Sequence, residues 1–327
     1  MKKKNVMLQP TDIVILKFIW KWKLSTSEIL HEVFHKKMEG SASWGFVLRL
    51  NRLERAGFIK QQLITWPTSG QAWVLGDKGF QVVKARLPEL SENGYKSENP
   101  DHDLIVHACH FAPVLIHQLK DVQSFTEQEL RRYHPSVAPQ FFPELFKHRP
   151  DGFWQLTKND NQLIALEVEL SVKAATRYAE TIRQYARPRN IKSVLWVVED
   201  ISIAKSIWQQ TAEVGNSKAE LHNFVLLADF LDKSLDANVF FGTYRGHKVW
   251  SLFSSDTPHK GHISPTYAPH KKSLRDYLNA TVYPKVTRTY QNKKMQKKSD
   301  CIPPISTQCP ITVAQSSNKE NLYVQDT

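Results

Sequence analysis

Apolar residues recur at helical spacing from the start of the chain. Thr11-Asp12 can cap a first helix, and Ile13, Leu16, Ile19 and Trp20 give it an inner face. Ser25 and Glu28 stand at capping-box spacing ahead of Ile29, Leu30, Val33 and Phe34, the stripe of a second helix. A third helix, Ser43 to Ala56, turns Val47, Leu50, Leu53 and Ala56 inward, and Gly57 stands where a helix end needs positive φ. Two short strands, Phe58–Thr65 and Gln71–Leu75, flank the turn-forming run Trp66-Pro67-Thr68-Ser69-Gly70. A helix from Asp77 to about Leu87 closes the segment.

A stretch rich in Pro, Ser, Glu, Asn and Gly then breaks the pattern. Beyond it the spacing predicts a helix from His102 to Leu119 and a short strand or turn over Phe125–Arg132. Strands follow at Gly152–Thr157, Leu163–Leu170 and Ser193–Glu199, the last a continuous apolar run. Helices are expected at Ser171–Ala186 and Ser202–Ala212, a strand at Asn223–Leu227 and a hairpin over Val239–Phe253. Strands alternating with helices give an α/β (α+β) class. After Ser254 apolar periodicity fades, and a basic, largely disordered tail is expected. The divisions are therefore 1–90, a linker at 91–101, a second domain at 102–255 and the tail at 256–327.

Composition sharpens this picture where it is uneven. Residues 1–90 carry 15 Lys/Arg against 7 Asp/Glu, and residues 257–300 carry 10 against 2. Residues 91–256 reverse the balance, with 18 against 21. Basic ends suit a polyanion, since each neutralised phosphate releases counterions. An acidic middle suits carboxylates that hold a cation. No run approaches the roughly 18 apolar residues of a membrane span, so no membrane partner is expected. Three cysteines without zinc-site spacing fit a reducing, cytoplasmic setting.

The chemistry concentrates in His148-Arg-Pro-Asp151-Gly and Leu166-Glu167-Val-Glu169-Leu-Ser-Val-Lys173. Lys158-Asn-Asp-Asn161 between them are turn residues, so the two halves read as arms of a hairpin. Alternation along a strand puts Glu167 and Glu169 on one face and Leu166, Val168 and Leu170 on the other, toward the core. Asp151 joins the glutamates only if the connection has odd length or carries a bulge. Three clustered acids repel unless a cation lies among them, and oxygen ligands suit Mg²⁺ or Mn²⁺. Such an ion activates water and stabilises charge on a scissile phosphate. Alternating acids on a strand also mark a solvated face, which is the bland alternative. Tyr178 and Tyr185 share a helix face; packing against the sheet is favoured over a nucleophile that forms a phosphotyrosyl link. His107 and His110 read as a helix-surface pair rather than metal ligands.

Leu50-Asn-Arg-Leu-Glu-Arg-Ala-Gly-Phe-Ile followed by Trp73-Val-Leu-Gly-Asp-Lys-Gly resembles the passage from recognition helix to wing in winged helix-turn-helix proteins, over residues 11–90. That resemblance implies a third helix in the major groove of double-stranded DNA, with Trp44, Arg49 and Arg52 as contacts. The acid hairpin resembles the restriction-endonuclease-like PD-(D/E)xK nucleases. Glu169 stands where that family usually has lysine, as in its E-x-E variants, and Lys173 could supply the missing ammonium. Gln184-Tyr185 resembles the Gln/Tyr element found after the core in some of them.

The order of Asp103-Leu104, Thr126-Glu-Gln-Glu-Leu-Arg131, Pro150-Asp151, Glu167-Val-Glu169 and Arg177-Tyr178 through Tyr185 is similar to the replication-relaxation family and to the MobC class of plasmid relaxases. The resemblance implies a site-specific, metal-dependent DNA endonuclease, a relaxase or nickase, with Asp151, Glu167, Glu169 and Lys173 as its centre. It would act at a plasmid or mobile-element transfer origin at the start of conjugative mobilisation, with accessory mobilisation proteins as possible partners. The rival readings are a non-enzymatic DNA-binding regulator of plasmid replication or transcription built on a degenerate nuclease fold, and a nuclease of defence or repair. Oligomeric state is left open.

Overall fold

A computed structural model describes residues 7–35, 43–65, 70–87, 99–116, 119, 121–132, 149–157, 162–187, 190–214 and 219–254. The expected tail, His148 and most of the expected linker lie outside the described residues. The described part is a mixed α/β structure with two sheets, and no helix in it is long and apolar enough to cross a membrane.

The N-terminal segment forms helices α1 (Pro10–Trp22), α2 (Ser27–His35) and α3 (Ser43–Arg55), strands β1 (Ile59–Ile64) and β2 (Gly70–Leu75), and helix α4 (Asp77–Lys84). The strands pair antiparallel, Ile59 opposite Leu75 and Ile64 opposite Gly70. Two helix starts differ from expectation. α1 begins at Pro10, whose missing N–H costs nothing in the first turn, with Gln9 as its cap, and Asp12 at the third helical position accepts the Gln9 N–H at 2.8 Å as part of a capping box. In α2 the cap is Thr26, whose Oγ1 accepts from the Ile29 N–H at 3.3 Å, because Ser25 is held in a backbone bridge to Trp73. Gly57 takes φ of 80° as expected. Its N–H and that of Phe58 close the α3 end on the carbonyls of Glu54 and Leu53.

The second segment opens with α5 (Pro100–Ile116), beginning inside the expected linker. β3 (Val122–Thr126) and α6 (Glu127–Arg132) occupy the stretch expected as a strand or turn. Then come β4 (Gly152–Leu156), β5 (Gln162–Glu169), α7 (Ala175–Ala186), β6 (Ile191–Val198), α8 (Ile201–Glu213), β7 (His222–Leu226), α9 (Leu227–Lys233) and β8 (Phe241–Gly242). The strands lie in the order β3-β4-β5-β6-β7-β8. β3, β4 and β5 are antiparallel neighbours, while β6 runs parallel to β5 and to β7. The hairpin expected over 239–253 is present in shorter form: Asn238 bridges Lys248 antiparallel and the Val239 N–H donates to the His247 carbonyl at 2.9 Å, while β8 between them pairs with β7 and residues 249–253 make a 3₁₀ turn.

Both faces of this sheet are covered, which corrects the expectation of one core face. Ile164, Leu166 and Val168 pack with α5 and α9, whereas Leu163 and Ala165 pack with α7 and α8. The first of these cores also takes in Leu24, Ile29, Ile64, Ala72 and Val74 from the N-terminal segment. The two segments thus share buried surface. Trp22 stacks on His107 of α5, with ring centroids 4.7 Å apart, and Lys21 pairs with Glu129 at 3.2 Å. His107 and His110 are buried, not a surface pair, and burial pushes both imidazoles down to about 3.

Truncating this joint should be costly. Trp22→Ala is expected to lower stability by about 3–5 kcal/mol, with urea unfolding still a single transition by both tryptophan fluorescence and far-UV circular dichroism. Two separated transitions in the unmodified chain would contradict a shared core.

Candidate carboxylate site

The β4–β5 hairpin decides where the acids fall. Leu156 pairs with Gln162, leaving residues 157–161, an odd-length connection of five. Gly152 pairs with Leu166 at the end of the ladder, so Asp151, in a bend one residue outside β4, continues that register toward Glu167. The odd-length requirement is met. Gly152 itself is needed for close approach: a Cβ there would lie 2.3 Å from the His110 ring of α5.

Asp151 does not simply stack over the sheet beside the glutamates. Its Oδ2 accepts the Val168 N–H at 2.7 Å, at the edge of β5 just past the end of β4. His102, at the start of α5, has Nε2 4.0 Å from the same oxygen and 3.2 Å from the Val168 carbonyl. A carbonyl only accepts, so Nε2 carries a proton. His102 was not singled out from the sequence. Its link to the site depends on helix packing and leaves no local signal.

Glu167 and Glu169 lie under α7. Tyr185 Oη donates to Glu167 Oε1, and Lys173 Nζ holds Glu169 Oε1 at 2.6 Å. Lys173 precedes α7 rather than starting it, and the Tyr178 hydroxyl accepts its backbone N–H at 2.9 Å. Both tyrosines are buried against the sheet, the packing role that the sequence favoured for them. Burial raises both phenols, and for Tyr185 the negative charges of Glu167 and Asp151 add to it. Each phenol therefore keeps its proton and is poorly placed to be a nucleophile.

The three acids sense one another. Burial pushes Asp151 up to about 6; Glu167 and Glu127 add to the rise, while His102 and the Val168 N–H oppose it. Burial pushes Glu169 up to about 7, and Glu167 and Asp151 add to it against the pull of Lys173. Glu169 Oε2 is buried and has no hydrogen-bond partner. An all-oxygen set with one orphaned oxygen suits Mg²⁺ or Mn²⁺. As the side chains stand, no group of three or more His, Cys, Asp or Glu among the described residues is arranged to hold a metal, so binding would require rotamer changes.

The arginines expected to meet DNA have inner partners. Arg49 Nη1 lies 2.8 Å and Arg52 Nη2 2.5 Å from the carboxylate of Asp12, which is fully buried. They tie α3 to α1. The Trp44 side chain lies outside the described residues. Searches of family models, of curated proteins and of solved structures all return no match.

Raised carboxyl pKa values fix the sign of a pH effect. Asp151 and Glu169 bind protons more tightly in the folded chain, so their contribution is fully present below the ordinary carboxylate range and is lost as pH rises through about 6 and about 7. Glu169→Gln should therefore flatten the fall in stability between about pH 4.5 and pH 7.5, by an amount on the order of 1–3 kcal/mol. Urea melts across that range measure the difference, and parallel profiles for the two proteins would remove the case for a strained acid cluster.

Proposed function

We propose that the chain is a metal-dependent DNA endonuclease, a nickase or relaxase, whose centre is Asp151, Glu167 and Glu169 with Lys173 beside them. The observation that carries this reading is the hairpin register, which ends at Gly152 opposite Leu166 and leaves Asp151 one residue beyond, within electrostatic reach of Glu167 and Glu169. The element order supports it. Helix α5, the antiparallel strands β3-β4-β5, helix α7 and a strand β6 parallel to β5 follow the plan of the PD-(D/E)xK core. The preceding three helices, β-hairpin and helix follow the plan of a winged helix, which would deliver double-stranded DNA. A plasmid or mobile-element transfer origin is the substrate that the family resemblance suggests.

When bound, Mg²⁺ or Mn²⁺ supplies a Lewis acid and lowers the pKa of coordinated water. Asp151, Glu167 and the free Oε2 of Glu169 are the oxygens that would hold it. Tyr185 fixes Glu167 by donating to its Oε1, and His102 with the Val168 N–H keeps Asp151 at the edge of β5. Lys173, 30% exposed, keeps an ammonium at the rim where a phosphate oxygen would arrive.

A second reading has its own support. Each acid already has an internal partner. That feature suits a DNA-binding regulator that keeps a nuclease-like scaffold without its activity.

Supercoiled plasmid bearing the element's origin separates the two. With Mg²⁺ or Mn²⁺ the full chain should give open circles, and Asp151→Asn or Glu167→Gln should slow this by about 10²-fold or more with band-shift affinity retained. Band shifts without relaxation at any metal concentration would favour the regulator.

A further inference from the structure

Asp151 also borders a small cleft beside the proposed centre. Its volume is about 20 Å³, and Lys23, Asp103, Glu127, Gln128, His107 and Asp151 contribute to its lining. That is room for about one water. Gln128 is 2% exposed, and its Nε2 has no hydrogen-bond partner. Lys23 enters from the other segment of the chain. Its ammonium lies 2.8 Å from Asp103 and 2.8 Å from Glu127, and its side chain is only 18% exposed.

Both partners lead to the carboxylate site. Glu127 donates its backbone N–H to the Asp151 carbonyl at 3.3 Å. Asp103 follows His102, the residue beside the Asp151 carboxylate. Lys23 also sits at φ of 65°, just past α1, a conformation that glycine adopts at far less cost. Burial works against its charge, yet Asp103 and Glu127 outweigh burial and hold its pKa above the ordinary lysine value. A residue that is buried, unfavourable in backbone and doubly paired calls for a reason beyond ending a helix.

We propose that Lys23 is a positioning residue of the carboxylate site: its ammonium occupies a cation position formed by Asp103 and Glu127 and holds both acids beside Asp151. The N-terminal segment thereby supplies a fixed positive charge to the acid cluster of the sheet. The catalytic meaning of this rests on the metal-dependent reading of Asp151, but the ammonium's own place does not.

The test is the count of Mn²⁺ bound per full-length chain, by electron paramagnetic resonance titration. Lys23→Met vacates the position, so it should bind one Mn²⁺ more than the unmodified chain, whatever that chain's own count. Lys23→Arg should restore the original count, and Lys23→Met with Glu127→Gln should lose the extra ion. If Lys23→Met does not fold, Lys23→Gly removes the same charge while suiting the backbone and should show the same gain. An unchanged count in a folded variant overturns the proposal. An unmodified chain that binds no Mn²⁺ while Lys23→Met binds one would sink the metal-dependent function and leave the Lys23 assignment standing.

Discussion

The pairing of β4 with β5 is the constraint from which the rest of the site follows. Strand side chains alternate, so a slip of one residue would send every second side chain to the opposite face. With Leu156 against Gln162, Asp151 falls one residue before β4 on the Glu167 side of the ladder, where its carboxylate takes the Val168 N–H. Gly152 then lets His110 and α5 come close. That approach in turn carries His102 to Asp151 and Asp103 to Lys23. Moving the register would undo each of these steps together.

Placing acids under two layers of helix has an electrostatic cost that the structure only partly offsets. Buried polar groups need partners, and buried charges need opposite charges. Tyr185, Lys173, His102 and the Val168 N–H answer that need one oxygen at a time. What remains is a pair of carboxyls with raised pKa and one orphaned oxygen on Glu169. The strain is local to the end of β5. Such a site is destabilising on its own, and the apolar clusters on both faces of the sheet carry it.

The N-terminal helices are part of that support. The core on the α5 side of the sheet continues into Leu24, Ile29 and Val74, and the Trp22–His107 stack closes it. Polar pairs made by Lys21 and Lys23 line the boundary nearest Asp151.

Much of this was readable from the sequence alone. Period-2 and period-3.6 patterns located the helices and the inner strands, because burial on one or both faces leaves an apolar trace at fixed spacing. Asp151, Glu167 and Glu169 could be chosen because a hairpin relates them locally, and Gly57 because a helix end demands its backbone freedom. The helix caps fell one to three residues from those expected, on Gln9 for α1 and Thr26 for α2, since several polar residues nearby could serve as caps. What only tertiary structure decided involves distant partners. Arg49 and Arg52 look like free surface cations until Asp12 of another helix is seen to hold them. His102 and Lys23 join the acid cluster through the packing of α5 against α1 and β5, and no spacing along the chain records that contact. Sequence periodicity reports which face of an element is buried; it does not report what that face is buried against.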